Sequence, residues 1–100
     1  MKIIVLAKRR EEVPNEAIQP HVRAEIQAVW DLYMQGTCRE FYTRADQPGP
    51  AILMVESPSV EEARKALATL PLVALNLLDL DLIPLAPFTG ISRLFQKDGR

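Results

Sequence analysis

The stretch from Leu32 to Leu72, LYMQGTCREFYTRADQPGPAILMVESPSVEEARKALATLPL, most constrains what this chain can fold into. It holds, in order, a helix end, two strands and a helix with a marked start. Gly36 stands at the C′ position, where a residue without a Cβ ends a helix readily. CREFYTR and AILMVES read as strands, and ADQPGP between them makes a turn longer than a two-residue hairpin. Ser59 with Glu62 is a capping box, opening a helix that runs through Leu70 to the stop at Pro71. Val60, Ala63, Leu67 and Leu70 supply its buried stripe.

The flanks complete a layout. Residues 2–8, KIIVLAK, form a strand that is apolar on both faces. The polar segment KRREEVPNE, interrupted by Pro14, is a loop. A helix is expected over Ala17–Gln35, with Pro20 either in its first turn or at a kink. Val22, Ile26, Val29 and Tyr33 share one stripe of that helix, and Arg23, Gln27 and Asp31 lie on its far side. Trp30, Tyr33, Met34 and Phe41 read as core. After a PLVAL turn, Leu78, Leu80 and Leu82 alternate with Asp79 and Asp81, which is the period of a strand with two different faces. Strand–helix–strand–strand–helix–strand is the ferredoxin-like α+β pattern, a four-stranded antiparallel sheet with two helices on one face. The first and third strands are apolar on both sides, so the uncovered face is an association surface, and a sheet-to-sheet homodimer is expected.

Composition narrows the class. A single domain over 1–100 is expected, with a core at 2–85 and a C-terminal tail at 86–100. The hydrophobic content of 48% and net charge of −1 suit a globular chain with no basic excess for phosphates. Nucleic acid is therefore not an expected partner. One cysteine, Cys38, excludes an internal disulfide framework and suits a reducing compartment. No apolar run approaches the ~20 residues that span a bilayer, and IIVLA followed by KRREE lacks signal-peptide order. A cytoplasmic address without membrane partners is expected.

Gly36-Thr37, Arg39, the Pro58-Ser59-Val60-Glu61 helix start and Leu70-Pro71-Leu72 at its end resemble the dimeric α/β-barrel superfamily. Within it the chain is most similar to the muconolactone isomerase-like proteins, over residues 2–85. That resemblance implies a homodimer and a double-bond shift in an unsaturated lactone by proton transfer, with no metal or organic cofactor. The family pattern after Gly-Thr is Trp-Arg-His, whereas this chain has Cys38-Arg39-Glu40. The arginine matches; the tryptophan and histidine do not. Pro84, Pro87 and Phe88 also show a weaker likeness to the YCII-like branch, whose histidine–acid pair is matched here by His21 alone.

Six side chains are candidates for chemistry. Glu25 lies about 60° from the centre of the first helix's apolar stripe, where residues face the sheet. A carboxylate there is either paired or has a raised pKa, which suits proton transfer, and the resemblance also places a glutamate at this point. His21, one turn earlier, can touch it as an i, i+4 pair and is a second catalytic candidate. Arg39 can hold a substrate carboxylate through two hydrogen bonds. In the second strand, Arg39, Phe41 and Thr43 are expected on one face and Cys38, Glu40, Tyr42 and Arg44 on the other. Glu40, Tyr42 and Arg44 join Arg39 as candidate substrate contacts, the alternative being an edge strand carrying charges against aggregation. Glu25 and Arg39 are expected to face a common pocket. Asp79 and Asp81 share a face without further converging ligands, so no metal site is expected. Three functions stay open: a cofactor-independent isomerase or lyase on a small carboxylated metabolite, a non-catalytic binding or accessory dimer, and a cofactor-free monooxygenase-like member.

Overall fold

The computed structural model describes residues 1–97, so the last three residues of the expected tail lie outside the described part. The chain is α+β. Its order is β1 (Lys2–Arg9), α1 (Asn15–Ile18), a 3-10 turn (Gln19–His21), α2 (Val22–Met34), β2 (Cys38–Tyr42), β3 (Ile52–Glu56), α3 (Val60–Leu67), α4 (Pro71–Ala74), β4 (Leu78–Pro84) and a 3-10 segment (Thr89–Phe95). The four strands make one open antiparallel sheet in the order β2-β3-β1-β4. No helix among the described residues is long and apolar enough to cross a membrane.

The helices cover one face. Ile3 and Val5 of β1, Leu53 and Val55 of β3, Cys38 of β2 and Leu82 of β4 pack there against Leu32, Ala63, Leu67 and Leu70. Strand alternation sends the intervening residues to the opposite face. Register aligns them in two rows across all four strands: Tyr42–Ile52–Leu6–Asp81 and Glu40–Met54–Ile4–Ile83. This open face is apolar at its centre, and Leu6 and Ile83 are both 37% exposed. Lys2 stands in register with Glu56 and Lys8 with Asp79, so opposite charges frame it.

The second predicted helix forms as its local signals dictate. Ser59 Oγ accepts the Glu62 backbone N–H at 3.1 Å, and Ala63 and Leu67 are fully buried. The helix ends at Leu67, three residues early, because the chain tightens into turns through Leu70 before α4 begins at Pro71. The expected PLVAL turn is thus one short helix.

The first predicted helix differs in extent and in phase. The segment Ala17–Gln35 is divided at Pro20, whose 3-10 turn separates α1 from α2. The inward face of α2 is Glu25, Ala28, Val29 and Leu32, at the i, i+3, i+4, i+7 spacing. Ile26 is 64% exposed, and Trp30, Tyr33, Met34 and Phe41 are exposed rather than core. Trp30 and Tyr33 rings lie 5.1 Å apart and Tyr33 and Phe41 5.5 Å, so these side chains stack into a surface ridge. The end of α2 is as expected. Gly36 has φ +83, with its N–H on the Tyr33 carbonyl and the Thr37 N–H on that of Leu32, a Schellman motif.

Strand β2 also departs from strict alternation. A bulge between Cys38 and Glu40 inserts Arg39, so Cys38 and Phe41 fall on the covered face, in register with Val55 and Leu53. Glu40 and Tyr42 fall on the open one, in register with Met54 and Ile52. β2 is an edge strand whose residues are exposed except Cys38, the arrangement expected of a charged protective edge.

Candidate functional site

Glu25 is the candidate tied to a distant element of the fold. It sits mid-face on α2, half-buried, and its Oε1 accepts the backbone N–H of Leu72 at 2.8 Å. The need for that bond is local. α4 starts with Pro71, which has no N–H, preceded by Leu70 at the N-cap position, whose side chain cannot accept. Leu70 cannot be a serine or aspartate without opening the core, in which it is 3% exposed. The acceptor therefore comes from another helix. At its other end α4 closes through Asn76, at φ 61, with Leu77 N–H on the Leu72 carbonyl.

Burial raises the Glu25 pKa, and the Leu72 hydrogen bond acts in the opposite direction with less weight. Among the described residues no fully buried side-chain oxygen lacks a partner, and Oε2 makes no hydrogen bond, so that oxygen reaches solvent. The result is a carboxyl fixed by one atom and open at the other. His21 is half-buried at the turn before α2. No hydrogen bond joins it to Glu25 among the described residues.

The four candidates of the expected second strand are engaged close to home, although β2 ends at Tyr42 and Arg44 lies in the turn beyond it. Arg39 Nε donates to the Gly36 carbonyl at 2.7 Å and the side chain is exposed. The Tyr42 hydroxyl donates to the Glu40 carboxylate on the open face, a contact that raises the Tyr42 pKa. Arg44 Nε and Nη2 donate to Asp46 at 2.9 and 2.5 Å, and this guanidinium lowers the Asp46 pKa. Glu25 takes part in no ion pair among the described residues, and Arg39 turns to the Gly36 carbonyl at the bulge. Cys38 is buried, its thiol donating to the Glu40 carbonyl at 3.4 Å, and burial raises its pKa. No group of three or more His, Cys, Asp or Glu side chains gathers at metal-binding distance among the described residues.

One surface has no counterpart among the sequence-based expectations. A shallow groove of about 670 Å³ runs along α2, lined by Gln19, Val22, Arg23, Ile26, Gln27 and Trp30. The signal for it was Ala28 and Leu32, whose spacing competes with Ile26 and Tyr33 for the inward face.

Fold and site together define a small α+β domain with one fixed, half-buried carboxyl and an uncovered apolar sheet face. No protein-family model matches the chain, and no curated protein matches it.

Proposed function

We propose that the chain is a muconolactone isomerase-like member of the dimeric α/β-barrel superfamily, a homodimer that moves a proton on a small carboxylated metabolite without a cofactor. The ferredoxin-like succession of elements, the Gly36-Thr37 and Pro58-to-Glu61 motifs and the apolar open sheet face support the assignment. The observation that carries the chemistry is Glu25: desolvation favours its protonated form, one oxygen is anchored by Leu72 N–H, and the other is accessible. In this reading Glu25 takes a proton from carbon and returns it at the far end of the shifted double bond, with His21 one turn away as an auxiliary. Arg39 leaves its Gly36 contact to meet the substrate carboxylate.

A second reading, a non-catalytic binding or accessory dimer, is favoured by a separate observation. Glu25 already has a structural task as the remote cap of α4, and Arg39, Tyr42 and Arg44 each have a local partner. A thermal-shift screen of lactones, phenols and small carboxylates separates the two, since a ligand of the native state raises the melting temperature. Glu25→Gln keeps a carbonyl for Leu72 N–H but cannot act as a base. Ligand stabilisation retained with turnover lost is the expected result; turnover unchanged in this variant overturns the proton-transfer reading.

A further inference from the structure

β4 is the terminal strand of the sheet, and two hydrogen bonds fix which of its backbone groups face outward. Arg10 N–H donates to the Leu77 carbonyl and Leu85 N–H to that of Lys2. In an antiparallel pair such bonds recur at every second residue. β1 and β4 keep one unbroken register from Ile3–Pro84 to Arg9–Leu78, so the odd-numbered residues of β4 bond to β1. Leu78, Leu80 and Leu82 therefore aim their N–H and carbonyl groups away from the sheet. Among the described residues no strand pairs with them, and no turn or loop hydrogen bond reaches them.

The two edges of the sheet differ in this respect. β2 is interrupted by its bulge at Arg39, a feature that discourages a further strand. The β4 register has no such break. Beside β4 lies a cleft of about 320 Å³, lined by Arg64, Val73, Asn76, Leu78, Asp79 and Leu80, so open space adjoins the unpaired backbone.

Charge then selects what fits. Side chains of Leu78, Leu80 and Leu82 lie on the helix side, and those of Asp79 and Asp81 on the open face. Asp79 stands in register with Lys8 and 3.9 Å from Arg10 Nη1. Asp81 stands opposite Leu6 and makes no ion pair among the described residues. A second β4 is a poor guest. Registers centred on residues 79 to 81 set acid against acid, and sliding either way brings in the left-handed Asn76 or Pro84, which has no N–H. A cation opposite Asp81 is favourable, whereas on the helix side the leucines and Arg64 of α3 suit apolar or acidic groups.

We propose that the β4 edge takes an extended peptide segment of a partner protein as an added antiparallel strand. Its Lys or Arg side chains face Asp79 and Asp81, and its apolar or acidic ones face the helices. Backbone pairing supplies the attraction and the alternation supplies selectivity. Neither the Glu25 chemistry nor association through the open face is required.

Fluorescence anisotropy of dye-labelled acetyl-Val-Lys-Val-Lys-Val-amide with the full-length chain tests it. Saturable binding is expected, weakened about tenfold when both lysines become glutamates. Methylating the valine nitrogens removes donors without altering charge and should abolish binding. Asp81→Lys, at an exposed position, should weaken the lysine peptide and favour the glutamate one. No binding of the lysine peptide, equal binding of its N-methylated form, or indifference to Asp81→Lys would each overturn the proposal. Leu80→Pro removes an outward N–H and no ladder bond, so it should lose the peptide and leave sedimentation unchanged. If it instead splits a dimer formed without peptide, a second copy occupies the edge and the proposal falls.

Discussion

Toward the helices, the sheet presents Ile3, Val5, Leu53, Val55 and Leu82; away from them, it presents Ile4, Leu6, Ile52, Met54 and Ile83. The two sets are nearly the same chemistry. The first is 0–8% exposed because α2, α3 and α4 lie over it, whereas the second has no cover in its own chain. Burial here is decided by which face the crossover helices occupy, not by hydrophobicity. An apolar alternation on both sides of β1 and β3 therefore describes one internal core and one apolar face that its own chain leaves uncovered.

Truncation of one leucine on each side should separate the faces most strongly. Leu67→Ala, in the helix α3 that packs on the covered face and fully buried, should cost about 2–5 kcal/mol. Leu6→Ala on the open face should cost clearly less in the isolated chain. Denaturant midpoints measure both, and equal losses would break the distinction between the faces.

The cover itself is pinned at two points, and each gives a smaller effect. Glu25→Ala leaves Leu72 N–H without its acceptor and should cost about 1–2 kcal/mol. Ser59→Ala removes the first-turn acceptor of α3 and should cost about 1 kcal/mol. An unchanged denaturant midpoint in either variant would show that the corresponding cap does not hold the helix.

A finer difference is in pH. The native chain keeps the Glu25 proton above the ordinary value of 4.5, so it binds this proton more tightly than the unfolded chain. The resulting stabilisation is fully present below the ordinary value and is lost as pH rises through the raised one. The stability of the wild type relative to Glu25→Gln should therefore fall as pH increases just above that value. A difference that stays constant across the window contradicts a desolvated Glu25.

Local signals and remote ones divide what the sequence revealed. The α3 start was legible because Ser59 and Glu62 sit three residues apart, and its stripe because Ala63 and Leu67 have no polar rival. The end of α2 was legible in Gly36. The phase of α2 was not. Ile26 and Tyr33 make the more hydrophobic stripe, but the face packed on the core is that of Ala28, Val29 and Leu32, with Glu25 beside them accepting from Leu72 N–H. Glu25 was thus singled out at the right place for an incomplete reason: its position was readable, its partner was not. The β2 bulge leaves no mark in the alternation of CREFYTR, and strict alternation puts Cys38 on the face of Glu40. Thr89–Phe95 carries no cap or helical stripe, and its 3-10 form emerges only with the backbone.

The proposed association of the open face is tested most directly by sedimentation at low micromolar concentration, comparing the wild type with Leu6→Arg. A wild-type particle of twice the 11.3 kDa chain mass, reduced to a folded single chain by an arginine at the centre of that face, is the result expected of a sheet-to-sheet homodimer. A wild-type monomer, or a dimer indifferent to Leu6→Arg, would contradict it.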